Sequence, residues 1–260
     1  MQKKKKFLSL ILAIATVIAL GVPALAQSPI ITSKGALSSS EIIQLKKNFS
    51  SENVPVDTQR MLIEKLNSGQ LINSMDSKFT ALIPEGALNV SENQPVKKFV
   101  FPDGSYIKNS MKVTKKISII PENRAQLIEA IGNTQEVDTL LATESSANGI
   151  VSPMVLPPKT FMGVYMQKES GNVSASFYTN FVEKDAQASY IIKSYTSSVA
   201  VTGGTYTKDP IDYTTNQYQD GSTPAQAQLD FTVTLIGGSA MSDYHLVFNV
   251  RDYSYWGSLI

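Results

Sequence analysis

Val173-Ser174-Ala175-Ser176-Phe177-Tyr178-Thr179-Asn180-Phe181-Val182 decides the fold, because the residues of this stretch alternate strictly between two faces. Val173, Ala175, Phe177, Thr179 and Phe181 fall on one side, and Ser174, Ser176, Tyr178, Asn180 and Val182 on the other. Leu229, Phe231, Val233 and Leu235 repeat the pattern against Asp230, Thr232 and Thr234. Leu246, Phe248 and Val250 do so against His245, Val247, Asn249 and Arg251. Successive side chains of a strand point to opposite faces, so such runs predict antiparallel sheet with one face buried and one wet. Turn clusters at 168–172, 203–204, 220–222 and 237–239 separate the strands. Roughly six to eight strands of this kind predict a β-sandwich over residues 160–260.

Upstream, Pro153, Pro157 and Pro158 exclude a central strand or helix and mark a connection at 151–159. Residues 38–150 read as an α+β region. Ser38-Ser39-Ser40-Glu41 is a capping box for a helix carrying Ile42, Ile43, Leu45 and Phe49. Asp57 is placed to cap a second helix with Met61, Leu62 and Leu66 along one stripe and Gly69 at its C-terminal end. Together they predict a small helical hairpin. The period then changes to two: Lys98-Phe99-Val100-Phe101 meets Tyr106-Ile107 across Pro102-Asp103-Gly104, a tight-turn composition. Met111, Val113, Ile117 and Ile119 continue as a half-buried strand that Lys115 interrupts once. Leu127, Ile128 and Ile131 allow a short helix opened by Pro121, and Val137, Leu140 and Leu141 another turn or two. The fold class is α+β: a small N-terminal helical hairpin and β element, then a C-terminal antiparallel β-sandwich.

At the start of the chain, Lys3 to Lys6 run into an uncharged apolar segment from Phe7 to about Leu20, ending at Ala24-Leu25-Ala26. That is the pattern of a secretory signal peptide, residues 1–26, cleaved between Ala26 and Gln27. Residues 27–37 read as a flexible leader. The chain has no cysteine, which excludes both disulfides and a lipidated cysteine after the cleavage point. Cysteine-free export fits a Gram-positive bacterium better than an animal source. No second apolar run of about 18 residues follows, so no membrane insertion by a helix is expected after signal removal. The C-terminus carries no sortase-type LPxTG signal. The expected location is secreted, extracellular, or held at the cell wall without a covalent anchor.

Without Lys3–Lys6, 19 basic residues stand against 22 acidic ones, a net charge of −3. A mildly acidic chain with no basic block cannot neutralise a row of phosphates, so nucleic acid is excluded as the expected partner.

Several stretches resemble a family of secreted Firmicutes proteins of unknown function. They are Thr58-Gln59-Arg60-Met61-Leu62-Ile63-Glu64-Lys65-Leu66-Asn67-Ser68-Gly69, then Ser74-Met75-Asp76-Ser77, then Phe101-Pro102-Asp103-Gly104-Ser105. Pro224-Ala225-Gln226-Ala227-Gln228-Leu229-Asp230-Phe231 is similar to the C-terminal domain that accompanies them. The resemblance implies export and a terminal β domain, and it brings no functional residues.

Catalytic chemistry finds little support. One histidine and no cysteine cannot build a zinc site, so no cofactor is expected. In Asn216-Gln217-Tyr218-Gln219-Asp220-Gly221, Tyr218 stands where a calcium loop needs an oxygen ligand, and a turn explains the stretch; Asp209, Asp212 and Asp220 leave a looser site open. No Gly-x-Ser-x-Gly elbow occurs, and a triad would have to use His245, on the polar side of a strand. Ser105 and Lys108 have Ser-x-x-Lys spacing but lie on a strand, where that spacing sends them to opposite faces. Among the acids, Asp230 stands out as a carboxylate in mid-strand, as a glycosidase-type pair would need.

The aromatic residues give the best binding signal. Tyrosines crowd residues 160–260, and Tyr253-Ser254-Tyr255-Trp256 ends the sandwich. Flat rings with polar tips suit sugar faces and protein surfaces. Tyr253, Tyr255 and Trp256 are therefore the candidate binding residues, with a hydrophobic plug as the structural alternative. The expected function is that of a non-enzymatic exported binding module whose partner is a cell-envelope glycan or a surface protein. The alternatives are an extracellular carboxylate-dependent hydrolase and a secreted effector or bacteriocin-like factor.

Overall fold

The computed structural model describes residues 35–147, 160–183, 189–210, 212–238, 240–252 and 254–258. The expected signal peptide with Ala24 and Ala26, Gln27 and the expected leader to residue 34, the expected connection at 151–159 and Tyr253 lie outside the described residues.

Ser39–Ser51 (α1) and Val56–Asn67 (α2) form the helical hairpin. Ser38 caps α1 as its sequence predicts: the Glu41 amide donates to the Ser38 hydroxyl, and the Glu41 carboxylate accepts from the Ser38 amide at 2.7 Å. The start of α2 differs from expectation. Pro55, not Asp57, is the N-cap, and Asp57 lies in the first turn, where its charge meets the positive end of the helix. The buried stripe is Gln59, Leu62, Ile63 and Leu66, while Met61 is 52% exposed. Of the residues expected to form a flexible leader, Leu37 belongs to the fold. Leu37 is buried, and its amide donates to Asn67 Oδ1 at 2.8 Å.

A 3-10 turn at Asn73–Met75 and a single helical turn, Ser77–Thr80 (α3), lead to Val96–Val100 (β1) and Tyr106–Ser118 (β2). The break at Lys115 is a bulge: Val113 pairs with Val164 and Lys115 with Gly163, leaving Thr114 as the extra residue. Residues 121–147 are more helical than expected. Pro121–Asn123 opens Arg124–Ile131 (α4), Gly132 closes it at φ 78°, and Thr134–Ala147 (α5) runs for 14 residues.

The remaining strands are Thr160–Glu169 (β3), Val173–Glu183 (β4), Tyr190–Val201 (β5), Gly204–Lys208 (β6), Asp212–Asn216 (β7), Ala225–Leu235 (β8), Met241–Arg251 (β9) and Ser254–Ser258 (β10). One sheet has the order β1-β2-β3-β4-β5; the other is β10-β9-β8-β6, with β7 also on β8. All pairings are antiparallel. The β element at 96–118 is thus part of the sandwich, since β2 pairs with β3. Between the sheets lie Met162, Val164 and Met166 of β3, Phe177 and Phe181 of β4, Leu229, Phe231 and Val233 of β8, and Leu246 and Phe248 of β9. Leu45, Phe49, Leu62 and Leu66 of the hairpin join this core. Helices α4 and α5 cover part of the outer face of the first sheet, where Leu127, Ile131 and Val137 pack on Ile117, Phe161 and Val182. That cover explains why Val182, on the side that alternation makes wet, is fully buried.

The turn between β3 and β4 docks against α1. Gly171 has φ +74°, and an added Cβ would lie 2.3 Å from Phe49 Cε1. Gly171→Ala combines left-handed strain with overpacking. It is expected to cost about 2–4 kcal/mol, read as a lower urea midpoint at unchanged m-value.

Candidate functional site

At one end of the sandwich the second sheet has a gap among the described residues. Strand β10 pairs with β9 only from Val247 to Arg251, and Met241–Leu246 have no strand beside them on that side among the described residues. Residues 71–89 fill part of the gap, and three attachments hold them there. Asp103, in the β1–β2 turn, is the first. Its Oδ2 accepts from the Asn73 amide at 2.9 Å and from Lys65 Nζ at 3.1 Å, and its Oδ1 from the Ser105 amide at 3.0 Å and the Ser105 hydroxyl at 2.6 Å. Burial works to raise this carboxyl, but the hydrogen bonds from Ser105, Asn73 and Lys65 outweigh it and hold it below the usual carboxylate range. The Ser105 hydroxyl in turn accepts from the Ser74 amide at 3.0 Å. Second, Asn109 Nδ2 donates to the Leu88 carbonyl at 3.1 Å. Third, Val90 and Gly257 exchange two backbone hydrogen bonds of 3.1 and 3.0 Å along the outer edge of β10.

Between this wall and β9 lies a slot of about 710 Å³. Lys168 lines it from β3, the fourth member of the inward series Met162, Val164, Met166. The turn cluster at 168–172 is therefore corrected: the turn proper is Ser170–Asn172, and Lys168 is a strand residue only 4% exposed. Its Nζ sits 4.6 Å from the centroid of the Tyr244 ring. No carboxylate pairs with it among the described residues, and burial pushes its ammonium down to about 7. Tyr244 stacks on Phe231 at 5.0 Å, and burial raises its phenol far above the usual range.

Two buried hydroxyls that line the slot with this amine, those of Ser74 and Tyr244, have no hydrogen-bond partner among the described residues. The Ser170 hydroxyl and Asn172 Oδ1, which do not line the slot, are likewise buried without a partner among the described residues. The Tyr244 hydroxyl faces Ser170 and Ser242 without a well-formed bond to either. Ser242 instead donates to the Met75 carbonyl at 2.6 Å, and Asn172 Nδ2 to Met75 Sδ at 3.3 Å. A buried polar group left unpaired costs about 1–3 kcal/mol, so hydroxyls that line an accessible cavity are suited to bond with water or with a polar guest. A cation and several hydroxyls suit an anionic oxygen ligand, a carboxylate above all.

The sequence candidates are distributed as follows. Trp256 is half-buried and lines the slot. Tyr255 is a core residue, its ring 5.1 Å from Phe181 and 6.3 Å from Phe248, so it takes the role of plug. Its hydroxyl donates to Glu92 Oε2 at 2.5 Å. Glu92 also lies 3.6 Å from Lys116. Glu183 is raised by burial, with Lys116 opposing and Glu92 adding to the shift. Asp230 and His245, singled out separately from the sequence, face each other across β8 and β9 with Oδ1 and Nδ1 2.5 Å apart. Gln228 Nε2 donates to both Asp230 oxygens, at 2.8 and 2.9 Å. Among the described residues no hydroxyl reaches the other His245 nitrogen, so the pair is not a triad. No group of three metal-binding side chains occurs among the described residues. Tyr165, Tyr178 and Tyr195 form a cross-strand row with centroids 4.9 and 5.6 Å apart, so these rings spend part of their faces on one another. Lys168 is the residue that sequence reading missed. Its signal was parity: it continues the alternate inward positions of Met162, Val164 and Met166.

Comparison with protein-family models, with curated proteins and with solved structures finds no match to this chain.

A lysine held near 7 when folded and at its ordinary value when unfolded gives up its proton on folding between those limits. Its burial penalty is therefore complete below pH 7 and fades as pH rises towards 10. Lys168→Met is expected to flatten the rise of stability between pH 7 and pH 10. At pH 6 it is expected to stabilise the fold by on the order of a few kcal/mol. Urea unfolding of both proteins across that range measures this.

Proposed function

We propose that this is an exported, non-enzymatic binding protein whose sandwich takes a carboxylate-bearing ligand into the slot between β9 and residues 71–89. The observation that carries the proposal is Lys168, a buried ammonium with no carboxylate partner among the described residues, lining a cavity whose surroundings hold unpaired hydroxyls. A carboxylate would supply the missing negative charge and accept from Lys168, Ser74 and Tyr244, relieving three desolvated donors at once. Apolar lining from Leu71, Ile83, Leu88 and Trp256 suits the ligand's carbon skeleton. Export is supported by Lys3–Lys6 and the apolar run to Ala26, and it puts this slot in contact with the cell envelope or the medium.

Only the protonated lysine attracts a carboxylate, so affinity is expected to be flat below pH 7 and to fall about tenfold per pH unit above it. Calorimetric titration with glutarate at pH 6, 7 and 8, in two buffers of different ionisation enthalpy, measures both the affinity and the accompanying proton uptake. Lys168→Met is expected to weaken glutarate binding at least tenfold at pH 6 while the protein stays folded. Binding that ignores both pH and the lysine sinks the proposal. For export, mass spectrometry of the protein recovered from culture medium is expected to find Gln27 as the first residue.

A further inference from the structure

The slot has a second property, set by the hydrogen-bonding phase of β9. The Leu235 amide donates to the Ala240 carbonyl at 3.0 Å, so the β9 residues that exchange bonds with β8 are the even-numbered ones, Ser242 and Tyr244 among them. The other edge of β10 fixes the same phase independently. Gly257 spends both backbone groups on Val90, which leaves Ser254, Trp256 and Ser258 to bond with Arg251, Asn249 and Val247, all odd-numbered. The backbone groups of Met241, Asp243 and His245 therefore point out of the sheet into the slot. Nothing among the described residues pairs with them. Met241 to His245 all line the cavity, and the wall opposite is α3 and the 83–89 loop, which is not a strand.

We propose that the occupant of this slot is an extended peptide that adds as a strand to the open edge of β9 and directs a carboxylate inward onto Lys168. The proposal rests on the carboxylate-binding reading and goes further in naming the ligand class. An added strand satisfies the free backbone groups of Met241, Asp243 and His245, and its alternate side chains point into the sandwich, where the lysine lies. The mouth of the slot fits such a guest. Met241 is 64% exposed, and Leu82, between the lining residues Ala81 and Ile83, is 71% exposed, so apolar side chains of the peptide find cover. Asp76, Glu85 and Asp243 also line the slot, beside His245 and Tyr244. Those acids repel a uniformly acidic peptide and favour one with basic groups outside its single inward carboxylate. The carboxylate comes either from a free C-terminus or from a Glu or Asp side chain, and the two sources are separable by experiment.

The test uses the full chain and fluorescein-labelled octapeptides of alternating Thr and Val with an N-terminal Lys. One ends in a free carboxylate, one in an amide, and one in an amide with Glu at its fourth position. Fluorescence anisotropy is expected to give at least tenfold tighter binding for one of the two carboxylate-bearing peptides than for the plain amide. If the free acid wins, the carboxylate is terminal; if the Glu peptide wins, it is a side chain. Lys168→Met is expected to erase the difference. Alternate N-methylation of the better peptide, made in both phases, is expected to abolish binding in one phase and spare the other. Equal binding of acid, Glu peptide and amide, or indifference to N-methylation, overturns the inference. Glutarate binding through Lys168 with no peptide binding more tightly than glutarate overturns the peptide inference alone. Loss of the lysine-dependent glutarate signal removes the carboxylate reading beneath it.

Discussion

The open end of this molecule depends on the Asp103 carboxylate. It takes four hydrogen bonds at once, from the Asn73 amide, from Lys65 of α2, and from the amide and hydroxyl of Ser105. Charge-assisted bonds of this kind contribute about 1.5–3 kcal/mol each, so one side chain ties the β1–β2 turn, the second helix and the 3-10 turn at Asn73–Met75 into one unit. That unit lies beside the part of β9 that has no neighbouring strand among the described residues. Lys168 is buried and the slot has a second wall because the turn at Asn73–Met75 is held across the gap.

The contrast with Lys108 sharpens the meaning of Lys168. Lys108 pairs with Glu169 and with Glu52, each at 2.5 Å. Burial pulls its ammonium down, but the two carboxylates outweigh burial and raise it. Lys98 also reaches Glu52, at 3.1 Å. Across the same β2–β3 ladder, one lysine thus has two acids while another, more deeply buried, has none among the described residues. A buried charge without a partner is costly, and folds that carry one for structure alone supply the counter-charge. Lys168 instead faces a cavity, an aromatic ring and two hydroxyls without partners among the described residues, which is the contrast on which the proposed binding function rests.

Much of the scaffold was legible in local patterns. Alternation marked β4, β8 and β9, the Ser38–Glu41 box marked the start of α1, and Pro102-Asp103-Gly104 marked the turn between β1 and β2. Less of the site was. Asp230 and His245 were each visible as polar residues in mid-strand, but their pairing depends on the β8–β9 register, which no local pattern encodes. Tyr255 and Trp256 are adjacent and opposite in role for the reason that makes strands readable at all. Neighbours on a strand face different ways, and only the position of the other sheet decides that Tyr255 points to the core and Trp256 to the slot. Lys168 was hidden by its neighbours Ser170, Gly171 and Asn172, whose turn chemistry extends by eye over a residue that is still strand.

The sequence by itself determined the helical hairpin, the turn between β1 and β2, and which residues of β4, β8 and β9 share a face. It also determined the absence of disulfides, because the chain has no cysteine; period, capping and composition all act within a few residues of chain. Tertiary structure alone decided that residues 96–118 complete the first sheet and that α4 and α5 bury Val182 on the side alternation leaves wet. It alone decided that, among the described residues, one end of β9 has no strand beside it and Lys168 has no carboxylate partner. Those outcomes depend on which distant segments meet, here Asp103 with Asn73, Val90 with Gly257 and β3 with β9. Such contacts are fixed by the balance of burial and hydrogen bonding over the whole chain.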